Sequence, residues 1–321
     1  MAKTQAWVLD TLQARALAYS NTGHQIHFGH ATARALFGFS FHPRVLVFQV
    51  AKGGTGKTSL ARESAIRASL YGARVLCVDM DPQANLTTAF NQNADQLPVM
   101  IDVLADQYPL KDTIISVLPG VDLLPSRFDN TLLDQVIIQK GLALDSLYRG
   151  PLQALKKSYD LIIVDCPPSL GQSVAACALA ADVLVVPVAP QSFAMAGLKT
   201  VYQSLLELEE VFGLAIPFLI LLNQFDPRAR LSQQTLALLL QDPHYGECLI
   251  DRCIRDSQEF PKAIAAGKSI FDALKPSGAK NDIDHITKVF LDLVWSPVAK
   301  PSSKASSTIQ KSSISEAAST G

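Results

Sequence analysis

The amino-acid sequence predicts an α/β fold, with a doubly wound, mostly parallel sheet and helices on both of its faces. Short apolar runs alternate with helical segments between residues 44 and 296. Most of these runs are continuously apolar, which is typical of strands that are covered on both faces. Polar residues follow several runs directly, and in such sheets ligands bind at the carboxyl ends of the strands. Strand–helix alternation with right-handed crossovers then gives the layered architecture.

Seven strands and six helices are predicted in chain order from the apolar runs and from helical spacing. The strands are Arg44–Val50, Arg74–Val78, Val121–Leu124, Leu161–Val164, Val183–Val188, Phe218–Leu222 and Cys248–Cys253. The helices are Thr58–Tyr71, Met100–Tyr108, Leu133–Leu147, Ala194–Phe212, Leu231–Leu240 and Ile283–Trp295. The apolar stretch Val174–Pro190 contains Asp182 and Pro187, so it predicts a helix followed by a buried strand rather than a membrane span.

Two flanking segments differ from this body, which spans residues 44–296. Residues 1–43 predict an N-terminal helical extension that is too small to build a core alone. We expect it to contact a dimer mate or a partner, with binding to operator DNA as an alternative role. Residues 297–321 are rich in Ser, Ala and Lys and predict a disordered tail.

Composition excludes several classes of protein. With 48% apolar and 18% charged residues, the chain has a globular composition. The net charge of −1 excludes a strongly basic nucleic-acid binder but leaves room for a local basic patch. Five cysteines without a C-x-x-C pair argue against a disulfide scaffold or a four-thiolate zinc site. The first residues lack the apolar core of a signal peptide, so we expect a cytoplasmic protein.

A glycine-rich loop between the first strand and the first helix predicts a phosphate site. It reads Lys52-Gly53-Gly54-Thr55-Gly56-Lys57-Thr58-Ser59. The glycines let backbone N–H groups surround a polyphosphate, and the helix N-terminus adds its positive dipole end. In this pattern Lys57 reaches the β- and γ-phosphates, the Thr58 hydroxyl holds Mg²⁺, and Ser59 contacts the α-phosphate.

Carboxylates follow two further predicted strands. Asp79 and Asp81 come after the second strand, and Asp165 ends the run Leu161–Val164 in a Walker B arrangement. Phosphoryl transfer depends on positioning and on neutralising charge near the γ-phosphate, and carboxylates that hold Mg²⁺ supply part of this. The order of loop, carboxylate pair and Walker B carboxylate predicts a single nucleotide site.

These motifs resemble those of the ParA/MinD family of ATPases. The pattern K-G-G-x-G-K-[ST] is similar to the deviant Walker A motif of that family, and D-x-D-P-Q-x-N from Asp79 is similar to the second signature of its ParA branch. The resemblance implies a P-loop NTPase fold with ATP and Mg²⁺ as cofactors. It assigns Lys52 to crossing a dimer interface and touching the nucleotide of the other subunit. It assigns Asp81 to orienting the attacking water with a link to Mg²⁺, and Asp165 to holding Mg²⁺.

The resemblance extends to residue 296. By analogy Asn223, which ends another strand, hydrogen-bonds adenine, while Asp251–Ile270 resembles the C-terminal block of the family and lacks its usual proline. No cysteine lies between Cys77 and Cys166, which excludes the iron–sulfur branch. The chain end has no amphipathic helix of the MinD kind, so we expect no membrane docking.

The partners follow from the resemblance. It implies an ATP-dependent homodimer that binds nonspecific double-stranded DNA on the nucleoid, and a ParB-like centromere-binding protein that stimulates slow hydrolysis to segregate a plasmid or chromosome. Two alternatives stay open: nucleoid-bound positioning of a protein cargo, and repression of its own operon through residues 1–43. The candidate DNA-binding residues, each of which is otherwise a solvated surface charge, are Arg228, Arg230, Arg252, Arg255, Lys262 and Lys268.

Overall fold

One seven-stranded sheet organises the protein in the computed structural model, which describes residues 42–295. The strands are β1 (Arg44–Phe48), β2 (Val75–Asp79), β3 (Ile115–Leu118), β4 (Val121–Leu124), β5 (Leu161–Asp165), β6 (Val183–Val188) and β7 (Phe218–Leu222). Their order in the sheet is β3-β4-β2-β5-β1-β6-β7, and every pair of neighbours is parallel except β3 and β4. The predicted α/β class and mostly parallel sheet are confirmed. Residues 1–41 of the predicted extension and the whole predicted tail lie outside the described residues.

Helices connect the strands. In chain order they are α1 (Lys57–Leu70), α2 (Asn85–Ala89), α3 (Met100–Leu104), α4 (Leu133–Lys140), α5 (Leu144–Leu147), α6 (Arg149–Leu155), α7 (Gln172–Ala180), α8 (Ala194–Phe212), α9 (Arg230–Gln241), α10 (Pro243–Cys248), α11 (Glu259–Ala265) and α12 (Gly278–Trp295). Single 3₁₀ turns cover Leu110–Thr113, Phe128–Leu132 and Ile270–Asp272.

Both faces of the sheet are buried, as the apolar strand sequences predict. On one face α1 and α12 pack over the strands, and the rings of Phe48 and Phe290 meet edge to face with centroids 6.0 Å apart. The opposite face is covered by helices that include α7 and α8. All five residues of β2 and of β5 are buried. Each large side chain removed from water here contributes about 1.5–3 kcal/mol, so the core holds the site-bearing strands in a fixed register.

The predicted strand Cys248–Cys253 is wrong. Helix α10 ends at Cys248, and the chain then runs beside β7 with only isolated bridges, Ile220 to Leu249 and Phe225 to Arg255. The side chains of Arg252 and Arg255 both reach one carboxylate, that of Asp282. Ile250 N donates to Ile220 O and Ile254 N donates to Leu222 O, so four residues of this segment span two residues of β7, which the evenly spaced bonds of a regular parallel ladder do not allow.

Other boundaries also differ. The predicted helix Leu133–Leu147 is broken, because Gly141 adopts φ 59° and ends α4. The helix predicted over Met100–Tyr108 ends at Leu104, shortly before Asp106 with φ 60°. Strand β3 was not predicted, since this short edge strand alternates between half-buried and exposed residues and lacks a continuous apolar run.

The sheet order brings the predicted motifs together. The glycine-rich loop follows β1, whose neighbours in the sheet are β5 and β6. Asp79 and Asp165 end β2 and β5 and are paired in register. Because parallel strands end at the same edge, the loop and both carboxylate segments meet there.

Candidate nucleotide site

The glycine-rich loop forms a cradle at the N-terminus of α1. Gly54 and Gly56 have φ values of 84° and 78°, a left-handed region that costs other residues energy. A Cβ on Gly56 would also lie 2.4 Å from the Asn223 amide nitrogen. No side chain caps α1, which leaves its first N–H groups directed toward the loop. The loop borders a cavity of about 470 Å³ lined by residues 53–59 and by Asp81.

Asp165 joins two predicted phosphate-site residues. Its Oδ1 pairs with Lys57 Nζ, and its Oδ2 accepts a 2.7 Å hydrogen bond from Thr58 Oγ1. Burial alone would lower the pKa of Lys57, but the Asp165 carboxylate outweighs burial and raises this pKa above its ordinary value. Lys57 is therefore a permanent positive charge at the base of the cavity.

The two carboxylates at and just after the end of β2, Asp79 and Asp81, have different surroundings. Asp79 is fully buried, and its Oδ2 accepts hydrogen bonds from Thr87 N at 2.9 Å and Thr87 Oγ1 at 2.8 Å. Burial and the neighbouring Asp165 carboxylate raise the pKa of Asp79 to about 7. Asp81 lines the cavity, and its Oδ1 accepts from Gln83 N at 2.9 Å. Asp79 thus braces the turn, and Asp81 faces the space where phosphates would lie.

Sequence reasoning missed two residues that hold this turn. Ser126 Oγ donates to the Asp81 carbonyl oxygen at 2.7 Å, and Ser126 N donates to Thr87 Oγ1 at 2.9 Å. Asn130 Nδ2 donates in turn to Ser126 Oγ at 2.8 Å. Both residues are buried and lie more than 40 positions after Asp81, so no local pattern connected them with it.

A second cavity adjoins the phosphate cradle. It has a volume of about 510 Å³ and shares Gly56, Ser59 and Ile264 with the first. Asn223 lines it, as predicted for a base contact, and its Nδ2 donates to Thr55 O at 2.7 Å. The cavity is also lined by Arg255–Gln258 and by residues of α11. Two adjoining cavities of similar size, the cradle at the glycine-rich loop and the chamber beside Asn223, match the two ends of a nucleoside triphosphate.

Two of the predicted DNA-binding residues are engaged inside the protein. Arg252 Nε and Arg255 Nε donate to the Asp282 carboxylate at 3.0 and 2.6 Å. Their side chains stay about half exposed, at 42% and 50%, whereas that of Asp282 is 1% exposed. The structure therefore gives both arginines an internal partner, which the sequence did not indicate.

The other four predicted basic residues are exposed. Arg228 is 91% exposed and contacts Asp226, and Arg230 begins α9. Lys262 lies on α11, and Lys268 follows that helix. The main-chain oxygen of Lys268 accepts a 3.1 Å hydrogen bond from Arg62, which fixes the backbone while the lysine side chain is exposed.

Lys52, the predicted trans-acting lysine, is exposed at the lip of the loop. Its Nζ lies 5.5 Å from the centroid of the Phe193 ring, within the range of a cation–π contact. Phe193 is itself 68% exposed and is the N-cap residue of α8. The contact keeps the lysine at the surface, beside the cavity.

The donor set at the cradle suits Mg²⁺. Thr58 and Asp81 line the cavity with oxygen atoms that could bind this ion, and the buried Asp165 carboxylate lies behind them, bonded to Thr58. Within residues 42–295 no group of three or more His, Cys, Asp and Glu side chains could hold a metal by itself. Magnesium is usually held by one or two carboxylates together with waters and substrate phosphates, so the residues present fit this ion.

Comparisons with known proteins agree with the motifs. A family model described as an AAA domain matches residues 43–214. The chain is 31% identical to the cell division protein PomZ of Myxococcus xanthus, over 72% of this chain and 73% of that protein. It is 32% identical to the chromosome partitioning protein ParA of Caulobacter vibrioides, over 71% of this chain and 86% of that protein.

Solved structures show the same fold. An ATP complex of a Cyanothece McdA variant has a TM-score of 0.70 at 21% identity and covers 78% of this chain and 97% of that one. A Borrelia burgdorferi plasmid partition protein bound to AMPPNP has a TM-score of 0.66 at 21% identity, over 78% and 100% of the two chains. Across residues 42–295 no helix has the length and apolar character of a membrane span.

Proposed function

Because this chain belongs to the ParA family of P-loop partition ATPases, we propose that it is an ATP-driven switch that binds nonspecific DNA as a dimer and releases it after hydrolysis. One observation carries the nucleotide half of this proposal. Asp165 holds Lys57 and Thr58 together at the base of a glycine-lined cavity that Asp81 also faces. That is the arrangement phosphoryl transfer requires, because its catalysis is mainly positioning and charge neutralisation.

ATP would occupy both cavities. The N–H groups of Gly53–Ser59 and the charge of Lys57 would bind the phosphates, and Asn223 would face the base. Thr58, Asp165 and Asp81 would hold Mg²⁺, which when bound neutralises charge on the β- and γ-phosphates. Asp81 would orient the attacking water, and the hydrogen bonds that fix its turn support this role.

Dimerisation would depend on Lys52. Its side chain is exposed at the edge of the loop, where it can reach a facing subunit. A second nucleotide-bound copy would present its phosphates to this lysine, so dimer formation becomes conditional on ATP. The exposed Phe193 beside Lys52 would be covered at the same time.

DNA would be bound through exposed basic residues outside the cavities. The better candidates are Arg228, Arg230, Lys262 and Lys268, because their side chains are exposed. Unlike Arg252 and Arg255, they are not paired with the buried carboxylate of Asp282. Phosphate contacts of this kind carry no sequence information and weaken steeply with salt. A net charge of −1 suits binding that is gained and lost with the nucleotide state.

The partner would be a ParB-like protein that speeds up hydrolysis, with a plasmid or chromosome as the cargo. Positioning of a protein cargo on the nucleoid is the second candidate. It is favoured by the name of one relative, PomZ, which is described as a cell division protein rather than as a partitioning protein.

The proposal is tested by measuring binding to random-sequence duplex DNA without nucleotide, with ADP and with ATP–Mg²⁺, at two salt concentrations. Tight and salt-sensitive binding with ATP alone is the expected result. Absence of DNA binding in every state would remove both the partition and the nucleoid-positioning functions.

A further inference from the structure

We propose that Asp282 is a positioning residue of the nucleoside cavity and acts on it through Arg255. The proposal rests on the nucleotide binding proposed above and adds a determinant that lies on α12, outside the cavity. It also gives Arg255 a role in nucleotide binding in place of the predicted contact with DNA.

The carboxylate of Asp282 is fully committed to the segment that walls the cavity. Its Oδ1 accepts hydrogen bonds from Arg252 Nε at 3.0 Å and from Arg255 Nη2 at 3.1 Å. Its Oδ2 accepts from Arg255 Nε at 2.6 Å and from Arg255 N at 3.2 Å. With 1% of its side chain exposed, Asp282 is a buried anion whose four donors come from two residues. Breaking such a pair is costly, so the geometry is firmly held.

This pairing sets the position of one cavity wall. Arg255 begins the run Arg255–Gln258 that lines the cavity, and its own backbone N–H is one of the four donors. The same run is tied to the end of β7, since Phe225 N donates to Ile254 O at 2.9 Å and Asp256 N donates to Phe225 O at 3.1 Å. Asn223 and Gln224, which also line the cavity, precede Phe225 directly. The position of the run Arg255–Gln258 is therefore fixed by β7 and by α12.

The close approach of Gly278 is a second, independent observation that the Arg255 side chain is packed in a fixed position. A Cβ at Gly278, the first residue of α12, would lie 2.0 Å from Arg255 Nη1, 2.1 Å from its Cζ and 2.6 Å from its Nε. The guanidinium thus packs flat on the start of the helix. An alanine here would displace the guanidinium, which is the far end of a flexible side chain, without any clash against backbone.

Three variants distinguish an effect on the nucleoside cavity from a general loss of fold stability. Gly278→Ala moves the guanidinium while improving helix propensity. Asp282→Asn removes the charge with little change of shape. Arg255→Lys keeps the positive charge that DNA would sense but loses the two-pronged pairing. Matched controls are Gly150→Ala, at a helical glycine with nothing within 4 Å of its Cβ, and Asp284→Asn, on the same helix but bonded to Arg67 and Tyr71.

The measurement is the affinity of each full-length variant for ATP–Mg²⁺ and for tripolyphosphate–Mg²⁺, which fills the cradle but not the chamber. We expect the three variants to bind ATP about tenfold more weakly, with tripolyphosphate affinity close to that of the controls. Asp282→Asn and Arg255→Lys also weaken a buried pairing and should lower the thermal midpoint, whereas Gly278→Ala keeps both charges and should leave the midpoint close to that of its control. Arg255→Lys should keep the DNA affinity of the ATP-bound wild type at saturating ATP.

Two results would overturn the proposal: unchanged ATP affinity in all three variants, or a parallel loss of ATP and tripolyphosphate binding, which would indicate general damage to the fold. Failure of the wild type to bind ATP is a different outcome, because it removes the proposed function itself.

Discussion

Ser126 Oγ donates a 2.7 Å hydrogen bond to the main-chain carbonyl of Asp81. The bond joins the end of β4 to the turn after β2, and both residues are buried. Asn130 and Thr87 complete a closed network around the same serine. The candidate catalytic carboxylate is thus held by its backbone, which leaves its side chain directed at the cavity.

Replacing Ser126 with alanine should slow ATP hydrolysis more than it weakens ATP binding. The change removes about 1 kcal/mol of net hydrogen bonding and leaves the buried Asn130 amide without its acceptor, while Ala84 N still donates to the Asp81 carbonyl oxygen. We therefore expect about a three- to tenfold fall in kcat with KM nearly unchanged. Steady-state ATPase assays measure both constants. The control is Ser146→Ala, whose hydroxyl makes an exposed 3.3 Å bond. Equal losses in kcat for both variants would count against the role of Ser126.

Lys57→Ala should abolish productive ATP binding. The variant loses the charge that faces the phosphates and also leaves Asp165 buried beside only Thr58. Removing one partner of a buried pair costs about 3–5 kcal/mol, so the thermal midpoint should fall as well. Isothermal titration with ATP–Mg²⁺ and a melting curve test both effects. Retained ATP binding would exclude the phosphate site assigned here.

Lys52→Ala should still bind ATP as a monomer but should dimerise poorly. Lys52 is exposed and makes only a cation–π contact with Phe193 among the interactions described, so the fold should tolerate its loss. Sedimentation with and without ATP measures the monomer–dimer equilibrium. The comparison is Lys199→Ala, another exposed lysine, on α8. A dimer as strong as that of the wild type would contradict the trans-acting role.

Asp81→Ala should bind ATP and then stay on DNA, because hydrolysis no longer resets the dimer. We expect a hydrolysis rate at least about a hundredfold lower, in line with the loss of a residue that orients the nucleophile. Single-turnover hydrolysis and the dissociation rate from duplex DNA would be measured on the same sample. Normal hydrolysis by this variant would show that the catalytic assignment is wrong.

Asp284 on α12 should contribute stability that depends on pH. Burial by itself would raise the pKa of Asp284, but the hydrogen bond from Tyr71 and the charge of Arg67 outweigh it and hold the pKa below its ordinary value of 3.8. A lowered folded-state pKa means that the stabilisation is complete above the unfolded-state pKa and is lost as the pH falls through the folded-state value. Asp284→Asn should therefore destabilise the protein by about 1 kcal/mol near neutral pH and by less near pH 3, which lies below the unfolded-state pKa. Urea unfolding at the two pH values tests this, and an equal deficit at both would contradict it.

Patterns over a few neighbouring residues were sufficient to predict most of the strands and the glycine-rich phosphate loop. Continuous apolar runs predicted six of the seven observed strands, because burial on both faces imposes that composition. The glycine loop could be identified because its conformation demands glycine at Gly54 and Gly56 and a helix directly afterward. The nucleotide-binding class and the family followed from these residues and from Asp81 and Asp165.

The tertiary structure decided what the sequence left ambiguous. Ser126 and Asn130 meet Asp81 only because β4 pairs beside β2, and Asp282 meets Arg255 only because α12 returns to the end of β7. Arg252 and Arg255 look like surface charges in the sequence, since no local signal marks a carboxylate 27 or 30 positions later as their partner. Local propensity and spacing act over a few residues, and they determined the strands, the loop and the chemistry of this protein. Packing joins positions that are distant along the chain. It alone decided which polar side chains bond to each other inside the protein and which line the cavities where a ligand would bind.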